Sequence, residues 1–242
     1  MKLLSIGNSF SNDAHRWLHK LAEQNGVDLY TVDADIGGCT LERHWNNVSD
    51  DPHDYYLQIN GESVDRMISL SEALSMEQWD VITIQQASPF SGMPQTFFPY
   101  ITDLSEYLRK LHPQAKLYFH QTWAYEIDSG HGGFPAYDCN QQEMFRRIKD
   151  CSEMASKVID AEILPTGSII QKLRETVPEF NYAEGGMSLC RDGFHLSLDY
   201  GRYAAAAIWV KTLTGITVKA YPMENFDIDL LGKIVDIVNQ EL

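Results

Sequence analysis

A serine near the start of the chain and an Asp-x-x-His motif near its end could together carry out nucleophilic catalysis. Ser9 follows an apolar run that begins at Leu3, and Asp192 and His195 precede a strongly apolar segment. A serine hydroxyl is a good nucleophile only when a base accepts its proton and a third group fixes the tautomer of that base. The carboxylate of Asp192 can reach the His195 ring within one turn of the chain. The sequence therefore predicts Ser9 as nucleophile, His195 as base and Asp192 as orienting group.

Each of these side chains also has an ordinary structural alternative, which the sequence leaves open. Ser9 or Ser11 could cap the helix that follows the first strand, as serine often does. His195 could be a loop histidine, with Asp192 or Ser197 capping the next helix. The catalytic interpretation depends on the order and spacing of the residues together.

Acyl transfer by a serine also needs hydrogen-bond donors for the oxyanion of the tetrahedral intermediate. The N–H of Ser9 at a helix start is one candidate, and the N–H of Gly38 is a second, because glycine lets the backbone approach a substrate closely. A side-chain amide of Gln85 or Gln86 is a third, since two glutamines at the end of a buried strand are costly without partners. Strand alternation points them to opposite faces, and we favour Gln85. Loop backbone could satisfy both instead.

The elements that must position these residues alternate between strands and helices. Apolar runs predict strands over residues 2–7, 29–36, 80–86, 116–122 and 162–164. Helical spacing predicts helices over 13–24, 63–74, 99–111, 141–159, 200–213 and 226–238, with another after residue 166. This order predicts one α/β domain over residues 1–242, with a parallel sheet covered on both faces. Ligands bind at the carboxyl ends of such strands, which is where Ser9, Gly38, Gln85 and Gln86 are expected.

Two long segments read as loops at the same edge. Residues 39–61 are polar and aromatic, and residues 123–137 are rich in glycine and aromatic side chains. Trp45, Trp123 and Tyr125 are therefore expected at the rim of the site, where they could stack on a sugar ring. Ordinary loop packing is the alternative for each of them.

The charge of the chain limits the classes of molecule that it is expected to bind. The chain has 34 acidic and 19 basic residues, which gives a net charge of −15. That charge repels nucleic acid and anionic membranes and favours a small-molecule or saccharide substrate over a polyanion. The sequence leaves the oligomeric state open.

The cysteines and the apolar runs point to an ordinary globular protein. The four cysteines are widely spaced, which predicts free thiols and no zinc site: Cys39, Cys139, Cys151 and Cys190. No apolar run has the length of a membrane span, and no signal peptide is visible. We expect a soluble protein, cytoplasmic unless an export signal has been removed.

Taken together, the motifs around Ser9, Gly38 and His195 resemble the conserved sequence blocks of the SGNH (GDSL-like) hydrolase superfamily of serine esterases. The matching blocks are Gly7-Asn8-Ser9 for the family's Gly-Asp-Ser, Gly38 for its second-block glycine, and Asp192 with His195 for its Asp-x-x-His. The resemblance spans nearly the whole chain. It implies a flavodoxin-like three-layer α/β/α sandwich with a five-stranded parallel sheet. It also implies ester hydrolysis through an acyl-Ser9 intermediate, with no metal or other cofactor.

Two blocks depart from the family pattern. Asn8 stands where the family has aspartate, and Gln85-Gln86-Ala87-Ser88 stands where it has Gly-x-Asn-Asp. In having a glutamine at this strand end, the chain resembles sialate O-acetylesterases and acetylxylan esterases. This resemblance implies that the substrates are acetyl or other small acyl esters on carbohydrates. The alternatives are a lipase or thioesterase on the same fold, and a catalytically inactive carbohydrate-binding protein.

Overall fold

Seven strands form one sheet in a computed structural model that describes residues 1–242. In chain order the strands are Lys2–Gly7 (β1), Tyr30–Asp35 (β2), Tyr55–Ile59 (β3), Glu62–Ile68 (β4), Val81–Ile84 (β5), Lys116–His120 (β6) and Glu162–Leu164 (β7). Their order across the sheet is β4-β3-β2-β1-β5-β6-β7. The strands β2, β1, β5, β6 and β7 pair in parallel, whereas β3 pairs antiparallel with both β2 and β4.

Helices cover both faces of the sheet. They are Ser9–His15 (α1), Leu18–Gln24 (α2), Leu41–Asp50 (α3), Leu70–Ser75 (α4), Tyr100–Leu111 (α5), Gln141–Ile159 (α6), Thr166–Thr176 (α7), Tyr200–Thr214 (α8) and Ile228–Glu241 (α9). Strand alternation sends Leu3 into one core, formed with α1, α2, α7, α8 and α9, and Leu4 into a second core with α3, α4 and α5. None of the helices combines the length and the hydropathy that a membrane crossing requires.

The sheet has seven strands, not the five expected, because an antiparallel hairpin extends one edge. The sequence predicts a loop over residues 39–61, but this segment contains α3 and β3. It predicts a helix over 63–74, of which the first part is β4 and the last part is α4. Asn60 and Gly61 form the two-residue turn, and both have positive φ (53° and 81°), as Asn-Gly hairpin turns require. A Cβ on Gly61 would lie 2.6 Å from the carbonyl oxygen of Arg16, so no larger residue fits.

The parallel strands end at a common edge. Gly7 ends β1 and leads directly into α1, so Ser9 lies at this edge. Gln85 follows the end of β5, and Gly38 lies in the turn after β2. The predicted helix over 13–24 is two helices, and the first begins at Ser9.

Candidate active site

Ser9, His195 and Asp192 are joined by two hydrogen bonds. The Nε2 atom of His195 lies 2.9 Å from Ser9 Oγ, and its Nδ1 atom lies 2.7 Å from Asp192 Oδ2. Because an ionised carboxylate only accepts hydrogen bonds, the neutral imidazole carries its proton on Nδ1 and presents the Nε2 lone pair to Ser9. The side chain of His195 is 20% exposed and that of Asp192 is 40% exposed. A hydroxyl, an imidazole and a carboxylate are thus joined in line near the surface.

The Asp-x-x-His segment folds so that Asp192 holds His195 in place. Its Oδ1 atom accepts hydrogen bonds from the backbone N–H groups of His195 (2.8 Å) and Phe194 (3.2 Å), and Gly193 adopts a positive φ of 84°. Partial burial would raise the pKa of Asp192, but the hydrogen bonds from the His195 ring and from the two backbone N–H groups hold it below its usual value. Asp192 is therefore ionised at neutral pH.

The turn before α1 presents Ser9. Asn8 caps the helix, with Oδ1 accepting from Phe10 N–H (3.1 Å), while Ser9 N–H makes no hydrogen bond within the protein. Gly7 is required here because a Cβ would lie 2.1 Å from Ser11 Oγ. The Ser9 N–H is thus available to a ligand at the start of a helix.

A second free N–H comes from the turn after β2. Cys39 N–H donates to Ile36 O (2.9 Å), Gly38 has a positive φ of 65°, and Gly38 N–H makes no hydrogen bond within the protein. The side chain of Asn8 donates from Nδ2 to the carbonyl oxygen of Cys39 (3.0 Å). This contact ties the turn that carries Gly38 to the turn that carries Ser9.

Gln85 and Gln86 are both buried, and their amides are bonded within the protein. Gln85 donates to Asn8 Oδ1 and accepts from His120 Nδ1. On the other face, Gln86 accepts from Leu41 N–H (3.1 Å) and donates to the carbonyl oxygen of Thr96 (3.0 Å). The two side chains point to opposite faces, as strand alternation requires. Backbone groups bond Gln86, as in the alternative that the sequence left open, whereas the partners of Gln85 are the side chains of Asn8 and His120.

The predicted aromatic residues lie deeper than expected. Trp123 and Tyr125 are fully buried in the core beneath the site and do not stand at its rim. Trp123 stacks on Phe10 at 4.1 Å and donates from Nε1 to the carbonyl oxygen of Phe194 (2.6 Å). This bond holds the segment of residues 191–196 that carries His195, called the histidine loop below. Trp45 is half-buried on α3 and packs against the opposite core. The enclosed rings of Trp123 and Tyr125 have no face left for a sugar, whereas part of Trp45 stays exposed.

Asp13 is a site residue that the sequence reasoning missed. It is fully buried and lies one turn after Ser9 on α1. Its carboxylate accepts from Arg191 Nη1 (2.9 Å), Arg202 Nε (2.8 Å) and Leu196 N–H (2.8 Å). A buried carboxylate needs partners of this kind, so the arginines on either side of the Asp-x-x-His motif were the available signal.

A polar cavity of about 280 Å³ opens beside Asp192. It is lined by Glu126, Asp128, Tyr182, Ser188, Cys190, Arg191, Asp192 and Gly193. Five of these residues carry carboxylate or hydroxyl groups, and within the wall Tyr182 donates to Asp128 (2.8 Å) and Ser188 donates to Glu126 (2.7 Å). No cluster of His, Cys, Asp or Glu side chains has the grouping of a metal site.

Comparison with known proteins adds the family context. A family model described as a domain of unknown function, DUF4886, matches residues 2–229. A solved structure of a DUF4886 family protein from Bacteroides uniformis ATCC 8492 is 34% identical with a TM-score of 0.91, and the match covers 99% of this chain and 93% of that chain. A comparison with curated proteins found no significant match.

More distant solved structures share the fold. A Slackia heliotrinireducens protein described as a candidate SGNH hydrolase is 20% identical with a TM-score of 0.59, over 88% of this chain and 98% of that chain. A mutant of an acetyl-xylooligosaccharide esterase from Geobacillus Stearmophilus is 12% identical with a TM-score of 0.55, over 91% of this chain and 97% of that chain. At these identities the likeness is one of fold.

Proposed function

Because this chain belongs to the DUF4886 family and has the fold of SGNH hydrolases, we propose that it is a serine esterase acting through an acyl-Ser9 intermediate. The observation that carries the proposal is the hydrogen-bonded line from Ser9 Oγ through His195 to Asp192, at 2.9 Å and 2.7 Å. Both distances lie within the reach that a nucleophile, its base and an orienting group need.

The geometry supports a two-step reaction. In the first step Ser9 Oγ attacks the ester carbonyl carbon while His195 Nε2 takes the hydroxyl proton, and Asp192 stabilises the imidazolium. The carbon–oxygen bond to the alcohol then breaks, and the alcohol leaves with the proton from Nε2. In the second step water gives a proton to Nε2 and attacks the acyl carbon. The bond between Ser9 Oγ and the acyl carbon then breaks, Nε2 returns the proton to Oγ, and the carboxylic acid leaves.

Two backbone N–H groups are suited to the oxyanion of both tetrahedral intermediates. Those of Ser9 and Gly38 have no partner within the protein, and a Cβ built on Gly38 would meet no atom within 4 Å. Donors held in place before the reaction stabilise developing charge without having to reorganise. The side chains of Gln85 and Gln86 support this site from beneath, since their amides are already bonded.

For the substrate we propose a small acyl ester, acetyl above all, on a carbohydrate. The cavity beside Asp192 supports this choice because its lining is mostly polar, and Asp128 and Tyr182 in its wall suit the hydroxyl groups of a saccharide better than a fatty acyl chain. The net charge of −15 disfavours binding to nucleic acid or to an anionic membrane surface.

The test is ester hydrolysis with a matched serine control. Wild-type protein should hydrolyse p-nitrophenyl acetate faster than p-nitrophenyl octanoate, whereas Ser9→Ala should abolish both activities. Ser75→Ala, on α4 at the opposite face of the sheet, should leave them unchanged. A preference for the octanoyl ester would favour the lipase or thioesterase alternative. Full activity in Ser9→Ala would show that Ser9 is not the nucleophile.

A further inference from the structure

His120 lies beneath the site at the end of β6 and is fully buried. One ring nitrogen, Nδ1, bonds to Gln85 Oε1, and the other, Nε2, has no partner within the protein. The ring packs edge-on against Trp209 with centroids 4.9 Å apart. The proposed reaction does not use this histidine, and nothing in its surroundings could pair with a charged imidazolium.

The hydrogen bonds around Gln85 fix the direction of every proton in this cluster. Asn8 Oδ1 can only accept, and it receives both Phe10 N–H and Gln85 Nε2. The oxygen of Gln85 must then face His120, whose Nδ1 must carry the proton. Burial, together with the nearby His15, lowers the pKa of His120 to about 3, so the ring is neutral and this tautomer is available.

The cluster forms a directed chain of donors that crosses four strand ends. His120 Nδ1 donates to Gln85, Gln85 donates to Asn8, and Asn8 donates to the carbonyl oxygen of Cys39. Cys39 closes the turn that exposes the Gly38 N–H, and Asn8 caps the helix that exposes the Ser9 N–H. If His120 ceased to donate, the Gln85 amide could rotate, and Asn8 would lose the partner that orients its own amide.

We propose that His120 is a positioning residue which, through Gln85 and Asn8, holds the two backbone N–H groups of Ser9 and Gly38 in the orientation that an oxyanion needs. The inference rests on the proposed function for its effect on rate, but its effect on the turn at Cys39 does not depend on any activity. Gln85 thus serves the site through Asn8, without touching the substrate.

His15 provides a matched control. It is equally buried, its pKa is also lowered to about 3 by burial, and it packs edge-on against the same Trp209 at 5.4 Å. Its Nε2 bonds to Ser5 Oγ (2.7 Å), and its Nδ1 has no partner within the protein. Ser5 Oγ accepts a hydrogen bond from Thr83 Oγ1 (2.8 Å), and these contacts do not reach Asn8. A His15 variant therefore loses a buried histidine hydrogen bond without breaking the hydrogen bonds that connect His120 to Asn8, so the two effects can be separated.

The experiment uses amide substitutions that keep a nitrogen donor near one of the two ring nitrogens of histidine. Asparagine at position 120 places its Nδ2 where histidine has Nδ1, whereas glutamine places its nitrogen where histidine has Nε2. We expect His120→Gln to lower kcat for p-nitrophenyl acetate about 10- to 100-fold with KM within about twofold, as misplacement of catalytic groups does. His120→Asn should restore kcat to within about threefold of wild type. His15→Asn should lose comparable stability while keeping kcat.

Amide hydrogen exchange supplies a second measurement that needs no substrate. Cys39 N–H is bonded to Ile36 O, so its exchange reports the turn. It should exchange faster in His120→Gln and remain as in wild type in His120→Asn and His15→Asn. Equal kcat losses in His120→Gln and His15→Asn, or unchanged Cys39 exchange in His120→Gln, would overturn the inference. If wild-type protein proved inactive, the proposed function would fail, and the exchange result alone would decide the role of His120.

Discussion

The backbone N–H of Leu196 donates to the carboxylate of Asp13 at 2.8 Å, across 183 residues of sequence. Asp13 belongs to the helix that begins with Ser9, and Leu196 directly follows His195. The same carboxylate holds Arg191, at the other end of the histidine loop. The position of His195 relative to Ser9 is thus held by one buried carboxylate as well as by their own hydrogen bond.

We expect Asp13→Asn to reduce both stability and catalysis. Removing one partner of a buried ion pair strands the other charge, which costs about 3–5 kcal/mol of unfolding free energy. Since the histidine loop would lose its anchor, kcat should fall about 10- to 100-fold while KM changes little. Urea unfolding and steady-state kinetics on p-nitrophenyl acetate measure the two effects.

A core truncation serves as the control for Asp13. Leu104→Ala, on α5 at the other face of the sheet, should cost a similar 2–5 kcal/mol, roughly, while leaving kcat intact. If Asp13→Asn kept wild-type kcat, or if Leu104→Ala lost as much activity, the anchoring role of Asp13 would be wrong.

Asp192→Asn should remove the orienting group with little change in shape. The amide can no longer stabilise an imidazolium and can favour the wrong tautomer, so kcat should fall about 10³- to 10⁴-fold.

In the wild-type protein hydrogen bonds hold the pKa of Asp192 below its usual value, so this group is already ionised where imidazole titrates. The acid limb of kcat/KM should therefore follow a single protonation. A limb of slope two would show that a second group takes part.

Buried histidines should make the protein sensitive to mild acid. Burial lowers the pKa of His15 from 6.5 to about 3, so the unfolded chain binds a proton that the folded chain does not bind in this window. The stabilising contribution is complete above pH 6.5 and is lost as the pH falls towards 3. Asp33, whose pKa is raised by burial and by Asp35, acts in the opposite sense.

A variant isolates the histidine contribution from that of Asp33. Between pH 6 and 4, roughly, the unfolding free energy of His15→Asn should fall less steeply than that of wild type, by up to about 1.4 kcal/mol per pH unit. Denaturant unfolding at several pH values gives both slopes. Identical slopes would mean that His15 is already protonated in the folded state.

Thiol reagents should modify one cysteine in the folded protein. Cys139 is exposed, whereas burial raises the pKa of Cys39 and Cys190 to about 12 and that of Cys151 to about 11. The buried thiols lack both access and thiolate character. Iodoacetamide should label Cys139 alone, all four cysteines only in denaturant, and none of the folded Cys139→Ser protein. Loss of esterase activity after this alkylation would contradict the assignment of a serine nucleophile.

The sequence was sufficient where geometry is local or follows from the period of an element. The spacing of Asp192 and His195 places them in one turn, and alternation along β5 sends Gln85 and Gln86 to opposite faces. The parallel sheet then explains why Ser9 and Gly38 share an edge. These inferences need only covalent connectivity and strand pairing.

Tertiary partners could not be read in the same way. Residues 62–68 look helical by their apolar spacing, but the Asn60-Gly61 turn folds them back as a strand, and that dipeptide was the overlooked signal. Trp123 looked like a rim aromatic because its burial depends on Phe10 and Phe194, which are distant in sequence. The sequence leaves open what bonds the amide of Gln85, because its partners, Asn8 and His120, come from two other segments.

The covalent chemistry at Ser9 is the central claim, and a fluorophosphonate probe tests it most directly. The probe phosphonylates only a serine that a neighbouring base has activated. Peptide mass spectrometry of treated wild-type protein should find the adduct on Ser9, with labelling abolished in Ser9→Ala and strongly slowed in His195→Ala. An unlabelled wild-type protein, or an adduct that persists in Ser9→Ala, would contradict the account.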